Sequence, residues 1–299
     1  MIKLDQAHKE FVNYLKSEKR ASATILAYGK DIEQLVEFLV GLNRITADQV
    51  IDEDLKEFLA KFEKKGYTKK TLSRKLNAIK TFFKYLKIQG HITTDPATMV
   101  SHPKFEAKPP RTLSPMEYRS LRDASRDDIR ISAIVEILLQ TGIRISELAN
   151  LRKEDIRSSE ETVEGSLYIR AQGDHPLRAV PLNPQAETAL KNYLAERPEY
   201  RVQGKRKAGE EHVFITKTGK PLLIRNIRTS IDRYFKKAGI VGAKVNDLRH
   251  TWLTHHLAKG ISVVLISKLA GHKRLSTTEK YLSLVKNQKG PEKTKLEPL

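Results

Sequence analysis

The sequence contains no cysteine, which excludes disulfide bonds and thiolate chemistry and fits a reducing cytoplasm. It also lacks an apolar run long enough to cross a bilayer, so we expect no transmembrane helix. The opening residues MIKLDQAHKE contain no apolar h-region, so no secretory signal is predicted. These absences favour a cytoplasmic protein whose chemistry needs neither sulfur nor a membrane.

Acidic residues are scarce compared with basic ones. The chain has 36 Asp and Glu against 55 Lys and Arg, which gives a formal net charge of +19. A protein this basic usually has a polyanionic partner, and nucleic acid is favoured over a membrane surface because no lipidation signal is present. The length of 299 residues suffices for two domains, and the hydrophobic content of 39% predicts packed cores.

Helical periodicity dominates the first hundred residues. We expect a helix over SATILAYGKDIEQLVEFLV with Ser22 as its N-cap. We expect another over KKTLSRKLNAIKTFFKYLKIQG, with the preceding Thr68 as its N-cap. This last helix has one apolar face and one basic face. Because no acid interrupts the basic face, we expect it to contact phosphate, and the predicted DNA-binding residues are Lys69, Lys70, Arg74, Lys75 and Lys80.

A proline-rich stretch, HITTDPATMVSHPKFEAKPPRTLSP, predicts an extended linker between two domains. We expect a helical domain over residues 1–103, a linker over 104–112, a second domain over 113–285 and a polar tail over 286–299. In the second domain, SLYIRAQGDHPLRAVPL predicts a β-hairpin, EYRVQGKRKAGEEH a basic loop and TTEKYLSLVKN one helix. The predicted fold class is therefore mostly α with a small β-sheet, α+β.

Three separated segments hold side chains suited to phosphate chemistry: TGIRISEL at 141–148, NDLRHTWLTHH at 246–256 and AGHKRLSTTEKY at 270–281. Taken singly, each side chain has an ordinary structural explanation. An arginine can form a surface ion pair or cover apolar surface with its stem, a histidine can cap a helix, and a tyrosine can lie half-buried in a core. Only the order and spacing of the whole set give it a more specific meaning.

That set is Gly142-x-Arg144-x-Ser146-Glu147-Leu148, Leu248-Arg249-His250-Thr251, Leu269-x-Gly271-His272 and Tyr281. It resembles the ordered signature of the tyrosine recombinase, or phage integrase, family. The segments SATILAYGKDIEQLVEFL and FFKYLKIQGHITTDPA are similar to the core-binding domain of Xer-type members. The resemblance spans residues 5–285 and implies a SAM-like helical core-binding domain followed by a mixed catalytic domain.

The resemblance also implies an activity: cutting and rejoining DNA strands through a 3′-phosphotyrosyl intermediate, with no cofactor and no external energy. Tyr281 would be the nucleophile. Arg144 and Arg249 would bind the phosphate oxygens, because a guanidinium group matches phosphate with two parallel hydrogen bonds. His272 would hydrogen-bond or position the phosphate, and Glu147 would hold its neighbours in place.

Two positions depart from the family pattern. Asn246 stands where the family usually has a histidine, three residues before Arg249, and an amide is neither a general acid nor a general base. The family's hairpin lysine, the usual proton donor, is absent, and Gln172 or Gly173 falls on its position. His175 on the same hairpin would suit proton donation, since an unperturbed histidine has a pKa of about 6.5. A histidine that only contacts DNA, or a lysine from TKTGK, fits equally well.

The three histidines of NDLRHTWLTHH, which are His250, His255 and His256, do not have the spacing of a HExxH metal site, so no metal is expected. His250 is instead expected to be a structural neighbour of Arg249.

The implied partner is double-stranded DNA with short inverted repeats, bound by a homo-oligomer that is a tetramer by analogy. The tail would dock on a neighbouring subunit, and a second recombinase or an activator could take part. The alternative hypothesis is a recombinase-like accessory or regulatory DNA-binding protein with weakened catalysis. The two replaced positions favour it, whereas the arginines, the histidine and the tyrosine that match the signature oppose it.

Overall fold

The computed structural model describes residues 1–18, 20–104, 109–159, 165–172, 175–197, 201–202, 205–206 and 211–288. The chain divides into two compact units, Met1–Ala107 and Lys108–Leu299, each with its own apolar core. Within the described ranges, no helix is both long and apolar enough to span a membrane. The turn of the predicted hairpin, residues 173–174, and most of the predicted tail lie outside the described residues.

The N-terminal unit is built from four described α-helices: α1 Leu4–Ser17, α2 Ser22–Gly41, α3 Asp52–Lys64 and α4 Lys69–Ile88. A single 3-10 turn, Ala47–Gln49, lies between α2 and α3. Thr68 caps α4 as predicted, because its side chain accepts a hydrogen bond from the backbone N–H of Thr71. The cap predicted for α2 is one residue off, since Ser22 is already helical and Ala21 occupies the N-cap position.

The core of this unit is aromatic where the first and last helices meet. Phe11 of α1 and Phe82 of α4 are fully buried, and their ring centroids lie 5.2 Å apart in an edge-on arrangement. The apolar face predicted for α4 points inward along its length. Burial of these faces against one another, rather than helix propensity alone, holds the helices together.

Lys75 interrupts the basic face of α4. Its side chain is 3% exposed, and its ammonium lies 2.9 Å from Asp31 Oδ1, 2.5 Å from Gln34 Oε1 and 4.3 Å from the centroid of the Phe62 ring. A buried ammonium needs such partners, because desolvation is costly for an isolated charge. The prediction that Lys75 contacts DNA is therefore wrong. The other predicted residues of that set lie at the surface: Lys69, Lys70 and Arg74 are exposed and Lys80 is partly exposed.

The C-terminal unit is mixed, and its described helices are α5 Pro115–Ser125, α6 Ile129–Thr141, α7 Ile145–Asn150, α8 Pro184–Glu196, α9 Ile224–Lys237, α10 Val245–Ala258, α11 Val263–Ala270, α12 Ser276–Glu279 and α13 Leu282–Gln288. Three short strands, β1 Ile156–Arg157, β2 Ser166–Ile169 and β3 Arg178–Pro181, form an antiparallel sheet in that order. Leu167 at its centre pairs with Ile156 on one side and with Val180 on the other. The predicted hairpin corresponds to β2 and β3.

Three predictions for this unit need correction. Helix α5 was missed: Ser114 and Glu117 form a capping box that starts it directly after the proline-rich stretch. The segment predicted as a basic loop contains a small two-stranded ribbon, β4 Arg201–Val202 and β5 Lys205–Arg206. The single helix predicted over TTEKYLSLVKN is two helices, α12 and α13, with Tyr281 between them.

The break at Tyr281 has a local cause. Its backbone N–H bonds to Thr278 O at 3.0 Å, three residues back rather than four, so the chain tightens into a turn at this point. Tyr281 is consequently held at a junction rather than in a helix interior.

Asp31→Ala should strongly destabilise the N-terminal unit, because it leaves the ammonium of Lys75 buried without a counterion. We expect a loss of about 3–5 kcal/mol in the free energy of unfolding, measured by urea titration with circular dichroism. Glu33→Ala on the same helix is the matched control, since Glu33 forms an exposed pair with Lys30. Equal effects of the two substitutions would contradict the assignment of Asp31 as the required partner.

Candidate active site

Glu147 brings together two arginines from different elements. Arg144, at the start of α7, donates its backbone N–H to Glu147 Oε2 at 2.7 Å and its Nη1 to Oε1 at 2.9 Å. Arg178 of β3 donates Nη1 to Oε1 at 3.0 Å and Nη2 to Oε2 at 2.7 Å. Burial raises the pKa of Glu147, but Arg178 and Arg144 outweigh it and hold that pKa below its usual value. The carboxylate therefore stays ionised and fixes both guanidinium groups.

Arg249 of α10 is 8% exposed and lies beside this cluster. It donates Nη1 to Gly142 O, at the end of α6, and Nη2 to Ala270 O at 2.6 Å, at the end of α11. Arg144 donates Nη2 to the next carbonyl, Gly271 O, also at 2.6 Å. Helix C-terminal carbonyls carry partial negative charge and suit such cations. Burial and the nearby charge of Arg144 lower the pKa of Arg249 to about 10, so it remains charged at neutral pH.

His272 follows α11 and is held at both ring nitrogens. Nε2 lies 3.0 Å from Arg249 Nη2, and Nδ1 lies 2.7 Å from the hydroxyl of Thr278 on α12. Burial, followed by the charges of Arg249 and Arg144, lowers the pKa of His272 to about 4. The ring is therefore neutral at pH 7.

Tyr281 is 7% exposed and sits where α12 ends and α13 begins. Its ring centroid lies 5.8 Å from that of His250, whose Nδ1 is 3.4 Å from Asp247 Oδ1. Burial raises the pKa of the Tyr281 phenol, and the charge of Arg249 opposes that rise. The phenol is consequently protonated near neutral pH and has to lose its proton if it is to attack an electrophile.

Two glycines, at the ends of α6 and α11, allow the backbone to pack directly against neighbouring side chains of the site. Gly142 has a φ of +61°, and a Cβ there would lie 2.3 Å from Cε3 of Trp252. Gly271 has a φ of +65°, and a Cβ there would lie 2.7 Å from Nη1 of Arg178. Both positions need glycine because of backbone conformation and of space.

The hairpin places Gln172 and His175 opposite each other across the turn. The backbone nitrogen of Gln172 lies 3.0 Å from the carbonyl oxygen of His175, and the reverse pair is 3.1 Å apart. Burial, followed by the charges of Arg144 and Lys273, lowers the pKa of His175. Its Nδ1 is buried and finds no hydrogen-bond partner among the residues that the structure describes.

Asn246 and a hairpin arginine, Arg170, are the two other side chains near the positions that depart from the family pattern. Asn246 is exposed in the first turn of α10, three residues before Arg249. Arg170 is occupied elsewhere, because it bonds Asp155 at 2.8 Å and also contacts Glu154.

The sequence indicated that Arg178 could stabilise charge, but not that it shares Glu147 with Arg144 or that Thr278 contacts His272. A signal for Arg178 was present, since alternation along β3 puts it on the same inward face as Val180. Thr278 is fully buried, whereas its neighbour Thr277 is exposed, and nothing in the local sequence distinguishes the two.

The sequence model of the Phage integrase family matches residues 111–288. The chain belongs to the phage integrase family. The model of the Phage integrase N-terminal SAM-like domain matches residues 9–90, which confirms the predicted helical domain class at the N-terminus.

Similar proteins within the phage integrase family indicate which type of recombinase this chain is. The chain is 33% identical to the tyrosine recombinase XerC of Thermodesulfovibrio yellowstonii over 278 residues, 91% of this chain and 89% of the relative. It is 33% identical to XerC of Bacillus pumilus over 284 residues, 93% and 91% of the two chains. The crystal structure of XerH site-specific recombinase bound to a palindromic difH substrate shares the fold, with a TM-score of 0.76 at 21% identity over 95% of this chain and 82% of that chain. This member of the family is a Xer-type tyrosine recombinase, an enzyme of site-specific DNA recombination.

Gly142→Ala should destabilise the C-terminal unit, because the new methyl group would collide with Trp252 in addition to straining the backbone. The control is Gly239→Ala, where φ is +71° and no heavy atom within the described residues lies within 4 Å of the added Cβ. We expect Gly142→Ala to cost about 1–3 kcal/mol more than the control. Fluorescence of Trp252, the chain's single tryptophan, would report the unfolding in urea. Equal losses would contradict the close approach.

Proposed function

We propose that this chain breaks a DNA strand by attack of Tyr281 on a phosphodiester and rejoins strands through the resulting 3′-phosphotyrosyl bond. The observation that carries the proposal is the convergence of Arg144, Arg249 and His272 from three separate segments, with Arg249 near enough to Tyr281 for its charge to act on the phenol. This arrangement concentrates positive charge and hydrogen-bond donors in one location with a buried phenol nearby, as phosphoryl transfer requires.

The chemistry follows from the groups present. The oxygen of Tyr281 forms a bond to phosphorus, the bond from phosphorus to the 5′-oxygen breaks, and the energy of the phosphodiester is kept in the new ester. The negative charge that grows on the non-bridging oxygens would be stabilised by Arg144 and Arg249. Each guanidinium has five N–H donors, so its bonds to main-chain carbonyls leave others for phosphate.

Two proton transfers accompany this step. The phenol must lose a proton, which its raised pKa makes more demanding, and the departing 5′-oxygen must gain one. Asn246 can contribute only a hydrogen bond to the phosphate or to Tyr281, and no proton transfer, because an amide does not titrate near neutral pH. Proton transfer therefore falls to other groups, and the hairpin is where we place the donor.

The N-terminal unit would bind the DNA backbone through the exposed part of the basic face of α4. The proposed contacts are Lys69, Lys70, Arg74 and Lys80. Support comes from their exposure and from the net charge of the whole chain. Arg74 also contacts Asp31, which orients its half-exposed side chain.

We further propose that the chain acts on short inverted repeats as an oligomer, a tetramer by analogy. One structural neighbour is a lambda integrase tetramer bound to a Holliday junction, with a TM-score of 0.73 at 17% identity. A partner recombinase or activator, and a docking role for residues 286–299, belong to the same proposal. A cytoplasmic location fits the absence of cysteine.

The chain should form a covalent adduct with nicked duplexes that trap the cleaved strand. The duplexes would carry inverted-repeat sequences that the protein selects from random DNA. Tyr281→Phe should abolish the adduct, since the nucleophilic oxygen is gone. Arg249→Lys should slow it by roughly 100-fold, because an ammonium cannot replace the forked guanidinium at a transition state. Denaturing electrophoresis of labelled DNA measures both.

Tyr168→Phe is the matched control, because Tyr168 is a half-exposed tyrosine of β2 in the same unit. It should form the adduct as the unmodified protein does. Tight binding to the selected sites with no adduct from the unmodified protein would instead support the accessory or regulatory alternative.

We also propose that His175, rather than Gln172, supplies the proton to the departing oxygen, because an amide cannot give one up. Burial and the charges of Arg144 and Lys273 lower the pKa of His175 in the DNA-free chain, and the negative charge of the bound phosphate would raise it again. His175→Ala should slow adduct formation by roughly 100-fold on normal DNA. It should have little effect when sulfur replaces the 5′-bridging oxygen, since a thiolate leaves without a proton at neutral pH, the thiol pKa being about 8.5. Quench-flow kinetics on the two substrates measures the difference.

His255→Ala serves as the control for this experiment, because His255 is an exposed histidine of α10. Equal slowing of His175→Ala on both substrates would assign His175 a binding role. If His175→Ala slowed the reaction on neither substrate, His175 would have no role in cleavage, and a lysine would become the candidate proton donor.

A further inference from the structure

Thr278 connects the two residues on which the proposed cleavage most depends, and the following inference rests on that proposed function. Its hydroxyl lies 2.7 Å from Nδ1 of His272, and its carbonyl accepts a hydrogen bond from the backbone N–H of Tyr281 at 3.0 Å. The side chain is fully buried. One residue thus holds the imidazole with its side chain and the tyrosine with its main chain.

The hydrogen bonds of His272 specify its tautomer. Arg249 Nη2 lies 3.0 Å from Nε2, and a guanidinium can only donate. Nε2 must therefore present its lone pair, so the proton of the neutral ring is on Nδ1 and is donated to the hydroxyl oxygen of Thr278. The opposite tautomer would set an N–H of His272 against an N–H of Arg249.

We infer that Thr278 is the positioning residue of the site: its hydroxyl accepts the Nδ1–H of the tautomer that Arg249 selects, and its main chain couples that ring to the location of Tyr281. The Nδ1–H tautomer prepares the ring for an anion. A phosphate oxygen that takes over the N–H of Arg249 frees the lone pair on Nε2, which then takes up a proton from solvent. The imidazolium donates to phosphate from Nε2 and still donates to Thr278 from Nδ1, so the ring need not turn.

The surroundings of His272 agree with this sequence of events. Burial lowers the pKa of His272 most, and Arg249, Arg144, Arg178 and His175 lower it further, so each of these opposes protonation in the absence of DNA. An incoming phosphate supplies negative charge against these cations and so favours the protonated ring. The hydroxyl of Thr278 satisfies Nδ1 in both states.

The tautomer can be measured directly in the DNA-free full chain. Nitrogen-15 NMR of a histidine-labelled sample distinguishes protonated from unprotonated ring nitrogens, and a His272→Gln sample assigns the signals. We expect His272 at pH 7 to be protonated at Nδ1 and unprotonated at Nε2. The opposite assignment in the unmodified protein would overturn the inference, whatever the activity measurements give.

Three variants then test the role of the hydroxyl. Thr278→Val keeps the shape of the side chain and removes its oxygen, Thr278→Ser keeps the oxygen, and Thr277→Val makes the same change at the exposed neighbour. We expect Thr278→Val to shift the tautomer signals and to slow adduct formation by roughly 10-fold or more, the effect of about one hydrogen bond. Its affinity for DNA should hardly change. Thr278→Ser should restore most of the rate, and Thr277→Val should behave as the unmodified chain.

These outcomes separate the inference from the function on which it rests. If Tyr281→Phe abolishes the adduct while Thr278→Val changes neither the rate nor the tautomer, Thr278 has no positioning role and the proposed function stands. If Thr278→Ser and Thr278→Val lose activity equally, the loss comes from packing rather than from the hydroxyl, and the inference is overturned. If no adduct forms at all, the proposed function fails, and the tautomer of the DNA-free chain still decides the inference.

Discussion

The carboxylate of Glu147 is the constraint on which the rest of the site depends. Three guanidinium groups, those of Arg144, Arg178 and Arg249, would repel one another in a partly desolvated space. Glu147 accepts hydrogen bonds from the first two, and the carbonyls at the ends of α6 and α11 accept those of the third. Only with these partners in place can so much positive charge be held in one location.

The N-terminal unit solves a related problem in a similar way. Asp31 of α2 forms ion pairs with both Lys75 and Arg74 of α4, so a single buried acid attaches the basic helix α4 to α2. In both units a buried carboxylate holds one cation inside and another near the surface. In each case the electrostatic attraction also cross-links elements far apart in the sequence, which fixes the basic groups before DNA arrives.

Much of the fold could be predicted because its signals are local. The periodicity of α1 to α4, the threonine before α4 and the alternation of β2 and β3 each depend on a few neighbouring residues. The errors fall where local signals are weak or tertiary contacts decide. The capping box before α5 was hidden by prolines, and the i−3 hydrogen bond at Tyr281 divides a stretch whose pattern is continuous.

In the site, too, some features follow from the sequence and others only from tertiary contacts. The sequence by itself determined the family, and it proposed the arginines, the histidine and the tyrosine as site residues, because their order and spacing resemble a known signature. Tertiary structure alone decided that Lys75 is buried, that Arg178 shares Glu147 with Arg144, and that Thr278 rather than Thr277 meets His272. The physical reason is that burial and hydrogen-bond partners depend on which distant elements pack together, and residue type specifies only what a side chain is able to do once it is there.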